Sequence, residues 1–187
     1  MNENKAVSKE SNRSKKSALT VRETVLFPML GTLMFCSKLL LEWAPNIHLL
    51  AAFTIAFTLV YRKKALIPIY IFVLLTGLYG GFSPWWIPHL YLWTLLWGAT
   101  MLLPRRMPKR LAVPLYMLLA TLHGLFYGVL YAPAEALLFG LDFRGMLLWI
   151  AAGAPFDILH AVGNFAASLL ILPLTELLRK LEKQSQQ

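Results

Sequence analysis

The chain has 187 residues, 58% of them hydrophobic and 14% charged, where a soluble domain is about 45–50% apolar and about 25% charged. A soluble core of this size cannot bury that excess, so a water-soluble globule is excluded. The net charge of +9 does not point to nucleic acid, because the basic residues sit in short blocks between long apolar runs, as in a membrane protein under the positive-inside rule. Cys36 is the single cysteine, which excludes an internal disulfide and a cysteine metal cluster.

Residues 1–20, rich in Lys, Ser, Asn and Glu, are expected to form a disordered basic cytoplasmic tail. A membrane domain is expected over residues 21–178, with a second cytoplasmic tail at 179–187. The first apolar stretch, Thr24 to Trp43, is long enough to cross a bilayer. Its length and flanks do not suit a cleaved signal peptide, so it reads as a retained helix, broken by Ala44-Pro45-Asn46. The second stretch, Ile47 to Tyr61, would cover roughly 22 Å as a helix, less than the roughly 30 Å hydrocarbon core. Arg62-Lys63-Lys64 ends it. The third, Ala65 to Phe82, closes at Gly80-Gly81 and is followed by Trp85 and Trp86, expected at an interface or as a lid. The fourth is Ile87 to Leu103 and the fifth Leu111 to Tyr131. A loop holding Pro133, Glu135, Asp142 and Arg144 is expected next, with an interfacial or re-entrant turn at Ala136 to Leu141. The sixth stretch is Gly145 to Leu174.

Placing the N-terminal segment, the 62–64 loop, the 104–110 loop and the C-terminal tail on one side collects sixteen of the eighteen Lys and Arg. The remaining two are Lys38 and Arg144. The expected fold is therefore an all-α integral membrane protein of about six transmembrane helices, with both termini cytoplasmic and the lipid bilayer as its solvent.

Ionisable and polar groups at membrane depth are functional candidates because burying them there is costly. Gly153, Asp157, His160, Asn164 and Ser168 recur at spacings of four, three, four and four, along one helical face. Such a stripe faces protein or a cavity, as ligand contacts or as interhelical hydrogen bonds. His123, Tyr127 and Tyr131 share a face of the fifth stretch, and His89, Trp93 and Trp97 a face of the fourth. Trp93 and Trp97 are either stacking platforms for a planar ligand or packing residues. Lys38 and Glu42 are four apart and can pair, while Asn46 and His48 stand at a pocket mouth or in an ordinary turn. Most of these residues map to the outer half, which suggests an outward-facing pocket and not a through-pore.

No nucleophile elbow, zinc-protease motif or phosphate-binding glycine loop is present, so ATP hydrolysis by this chain is not expected and no cofactor is implied. Two other classes stay open: an intramembrane enzyme using Asp157, His160 and His123, and a membrane scaffold without a small ligand.

Leu19 to Glu23, then Phe27 to Met34, the turn Pro45-Asn46-Ile47-His48-Leu49, and the late Gly163-Asn164-Phe165 with Pro173-Leu174 carry a resemblance. Over about residues 19 to 180 the chain resembles the substrate-binding S components of energy-coupling factor (ECF) vitamin transporters. The resemblance implies capture of a vitamin or similar small molecule from outside. Delivery would follow docking on a transmembrane coupling subunit driven by two ATPase subunits. It places a pocket in the loop after the first helix and in helices four to six, where Asn46, His89, Trp93, His123, Tyr127, Asp157, His160 and Asn164 stand. Of these, Asn164 matches by position and the others by region. The family's first helix carries an Ala-x-x-x-Ala docking pattern, which this chain lacks. Thr32 and Cys36, four apart, with Gly31 and Ser37 beside them, stand in its place.

Overall fold

The computed structural model describes residues 19–104 and 107–184. Most of the expected N-terminal tail, Arg105, Arg106 and residues 185–187 lie outside the described residues. Eight α-helices and no strand are present among the described residues. They are α1 (Val21–Leu40), α2 (Leu50–Tyr61), α3 (Leu66–Gly80), α4 (His89–Leu102), α5 (Lys109–Leu125), α6 (Tyr127–Phe139), α7 (Phe143–Ser168) and α8 (Ile171–Gln184). Short 3-10 turns at Arg62–Ala65 and Pro84–Trp86 lead into α3 and α4. Three helical segments are long and apolar enough to cross a membrane: α1, the α5–α6 rod and α7.

Local chemistry sets the ends. Thr20 and Glu23 form a reciprocal capping box at the start of α1: Glu23 N–H donates to Thr20 Oγ1 (3.2 Å) and Thr20 N–H to Glu23 Oε2 (2.9 Å). Asn46 takes a left-handed conformation (φ 59°), which asparagine tolerates, and turns the chain toward α2. Arg62 also has a positive φ (54°). It is held there from both sides, because its guanidinium donates to the Met101 carbonyl (2.9 Å) and its own carbonyl accepts Trp97 Nε1–H (3.0 Å). Trp97 is thus a structural clamp.

α2 is apolar all round and sits at the centre, with every residue from Leu50 to Thr58 buried. Thr58 is accommodated there because its Oγ1 donates to the Thr54 carbonyl (2.6 Å). α7 is inside out. Its polar residues Asp157, His160, Asn164 and Ser168 are buried, while Leu148, Phe156, Ile158, Leu159, Val162 and Phe165 are exposed. α1 likewise exposes Val21, Val25, Met29 and Leu33 at four-residue spacing. Apolar faces turned outward and polar faces turned inward are what a lipid solvent selects.

Three of the expected boundaries differ. The fifth stretch does not end at Tyr131: after a break at Phe126 the helix resumes as α6 and runs to Phe139. The expected loop around Pro133 and Glu135 and the turn at Ala136 to Leu141 are therefore largely helix, ended by Gly140 in the left-handed conformation (φ 67°). Pro133 costs one backbone hydrogen bond without ending the helix. The sixth stretch is split at Leu169 and Leu170, whose N–H groups bond three residues back, and Pro173 follows. The third difference is α8, an amphipathic helix that carries regular structure to Gln184, beyond the expected tail boundary.

α8 packs on α2 and is fastened to the other basic segments. Arg22 contacts Glu182 (2.9 Å) and the Leu181 carbonyl (3.1 Å), and Lys109 contacts Glu176 (2.6 Å). Lys109 holds the Glu176 carboxyl below its ordinary range by hydrogen bond and charge. Lys64 reaches both oxygens of Glu23 (2.7 and 2.8 Å). All three pairs lie at one end of the molecule; Lys38 and Glu42, at the other end, form no ion pair among the described residues. Glu23 is the most sheltered partner, its side chain 17% exposed. Lys64→Met is expected to lower stability by about 1 kcal/mol. Thermal unfolding in detergent checks this, and the difference from the parent should shrink at high salt.

Candidate functional site

The closest helix contact builds the site. A Cβ on Gly124 would meet Ala161 N, His160 C and Asn164 Nδ2, each at 2.9 Å, and one on Gly128 would collide with the Asp157 carboxylate. Gly124 and Gly128, four apart, therefore let the α5–α6 rod lie directly against α7. This small-x-x-x-small pair is a sequence signal that lies outside the polar stripes.

The break at Phe126 fixes the chemistry beside it. The first N–H groups of α6 have no partner in their own helix. Gly128 N–H is satisfied from α7, by both carboxylate oxygens of Asp157 (3.1 Å each). Asp157 thus caps α6 across the interface, where a negative charge also suits the helix N-terminus. The Asp157 carboxylate is turned to the Gly128 amide.

Beyond this contact the two helices diverge around a cavity of about 360 Å³, within the range of small-molecule pockets. One wall is Tyr127, Tyr131, Glu135 and Phe139, a four-residue repeat along α6. Facing it on α7 are Trp149, Gly153, Asp157 and His160. Asn46, from the turn after α1, and Trp85, from the turn before α4, close two sides. Tyr131 is the corner of the frame: its hydroxyl donates to the Trp85 carbonyl (2.8 Å) and its ring stacks on Trp149 (5.7 Å, 15°). The turn after α1 is seated on α7, where a Cβ on Gly163 would lie only 3.3 Å from Ile47 Cα.

Behind the cavity lies a connected group of rings. His160 meets Tyr127 (4.8 Å) and His48 (4.6 Å) edge to face, and His123 contacts Tyr127 (5.8 Å) and Trp93 (5.5 Å). His48 Nδ1, Trp93 Nε1, His123 Nδ1 and His160 Nε2 are buried with no hydrogen-bond partner among the described residues. Native interiors rarely leave so many polar atoms unpaired in one place.

The expected site residues separate into three groups. Asn46, Tyr127, Asp157 and His160 line the cavity. Trp93, His123 and Asn164 stand behind it: Trp93 is 1% exposed, His123 Nε2 lies 3.3 Å from the Leu92 carbonyl, and Asn164 Nδ2–H donates to the Ala120 carbonyl (3.0 Å). His89 is outside the cavity, packed against Trp85 at 5.5 Å. Trp149, Glu135, Phe139 and Phe156 line the cavity without having been expected there. The four-residue spacing of Tyr127, Tyr131, Glu135 and Phe139 points to two of them, Glu135 and Phe139, once α6 is read as helix. Trp85 lines the cavity, but Trp86 does not: its indole N–H turns back to the Val73 carbonyl (2.8 Å).

Of the residues expected at a docking face, Gly31 is already occupied within the chain, since a Cβ there would meet Ile71 Cγ2 at 2.7 Å. Thr32 and Cys36 are exposed. No group of three or more His, Cys, Asp or Glu side chains is arranged to hold a metal ion among the described residues. Compared with known protein families, curated proteins and solved structures, the chain matches none.

Proposed function

We propose that this chain is the membrane-embedded substrate-binding subunit of an ATP-driven importer of the energy-coupling factor type. The observation that carries the reading is the cavity between α6 and α7, walled by aromatic rings and backed by unpaired imidazole nitrogens. A scaffold has no need for such a cavity, and a cavity with few polar groups on apolar walls is how small-molecule sites are built.

In this reading α1, α2, α3, α4, the α5–α6 rod and α7 are six spans. The ion-paired end faces the cytoplasm, in keeping with the positive-inside rule. The cavity rim, at the turns after α1 and before α4, then faces outward. α3 and α4 are 15 and 14 residues long, too short to span with straight apolar length alone, so the bilayer thins around them or neighbouring helices shelter their ends. A vitamin-like small molecule enters from outside. Release inward requires work, which a coupling subunit and two ATPase subunits supply, since the sequence carries no phosphate-binding glycine loop. Thr32 and Cys36 on α1 are exposed small residues at which a coupling helix can approach closely.

Native mass spectrometry of the detergent-purified protein from cells grown in rich medium tests the reading. The expected result is a bound small-molecule mass that is lost in His160→Ala and weakened in Asn164→Ala. An apo protein with no thermal shift against a panel of water-soluble vitamins would reject it.

A further inference from the structure

Granted that the cavity is a ligand site, its walls also carry a charge signature. Among the described residues that line it there are two carboxylates, Glu135 and Asp157, and no Lys or Arg. The Asp157 oxygens are taken up by Gly128 N–H, whereas Glu135 forms no ion pair among the described residues. Of the two basic residues outside the ion-paired end, Lys38 lines a separate depression with Glu42, and Arg144 is not among the cavity's lining residues. An anion in the cavity would therefore meet like charge with no counter-ion, in surroundings that screen poorly.

The remaining surface favours the opposite sign. Trp149 and Tyr131 are stacked at 5.7 Å, and Tyr127 continues the wall 6.1 Å from Tyr131. The faces of such rings are negative and attract a cation, most strongly when water is excluded. Flat walls also select a flat ligand. His160, 3% exposed, lines the cavity and keeps an unpaired Nε2, a hydrogen-bond partner for a polar atom on a ring. We propose that the cavity selects a planar, positively charged nitrogen heterocycle, held against the aromatic rings of Tyr127, Tyr131 and Trp149 with its charge toward Glu135.

Three probes of one ring size separate charge from shape: N-methylquinolinium (cation), quinoline (neutral) and quinaldate (anion). Each is titrated calorimetrically into the full chain in detergent. N-methylquinolinium is expected to bind about tenfold more tightly than quinoline or better, with quinaldate weakest. Glu135→Gln should erase that preference while leaving quinoline binding in place. Glu42→Gln, a carboxylate outside the cavity, should leave the preference intact, and Trp149→Ala should weaken both the cation and the neutral probe. Preference for quinaldate, or a cation preference that survives Glu135→Gln, overturns the assignment. If quinaldate binds and Trp149→Ala abolishes it, the charge class fails while the binding-subunit reading stands. If no probe binds to protein that does carry a co-purified small molecule, the class again fails alone; if no probe binds and the protein is also apo, both fail.

Discussion

Gly124→Ala is expected to destabilise the protein by about 1–3 kcal/mol, a large effect for one methyl group. The added Cβ would sit 2.9 Å from Ala161 N and His160 C, which are backbone atoms of α7 and cannot rotate aside. The helices must separate, and their contact is the most extensive in the molecule. Gly98→Ala is the matched control. Nothing lies within 4 Å of its Cβ, and in a helix alanine replaces glycine with a gain of up to about 1 kcal/mol. Thermal unfolding in detergent, followed by tryptophan fluorescence, separates the two. Equal stability of both variants would mean that α5–α6 and α7 are not in the contact described.

Asp157→Ala is expected to cost a similar amount for a different reason. It leaves Gly128 N–H buried and unpaired at the start of α6, a loss of about 1–3 kcal/mol. Asp157→Asn keeps an acceptor oxygen in place and should retain most of the stability. The pair also separates structure from recognition. If Asp157 is chiefly a cap, Asp157→Asn keeps both fold and ligand; if it contacts ligand through its charge, Asp157→Asn keeps the fold and loses affinity. An Asp157→Ala variant as stable as the parent would dismiss the cap.

The stripe on α7 was legible because of the solvent. Lipid admits almost no polar side chain, so Asp157, His160, Asn164 and Ser168 at helical spacing had to share the inward face. Their partners were not legible. Asp157 meets Gly128 and Asn164 meets Ala120 across a helix pair, and no periodicity within one segment records its neighbour. Glu135 was misplaced for a local reason: Pro133 and the charges beyond it look like a loop, while tertiary packing carries the helix through them. Trp86 looked like an interfacial belt residue because its sequence neighbours are turn residues, yet its N–H finds the Val73 carbonyl. Gly31 fell on the expected docking face as a small residue beside Thr32, and only the fold shows that α3 already fills the space above it. The apolar stripe Val21, Val25, Met29 and Leu33 shows the same limit from the other side, since spacing alone does not say which face of a uniformly apolar helix meets lipid.

The burial of α2 has a mechanical consequence. A helix walled in by protein has no annular lipid, so changes in bilayer thickness do not reach it directly. Mismatch strain falls on the helices that present apolar faces outward: the short α3 and α4, and with them α1, the α5–α6 rod and α7. The α5–α6 rod and α7 are also the two walls of the cavity, so the thickness of the surrounding membrane acts on the width of the cavity and not on the integrity of the core.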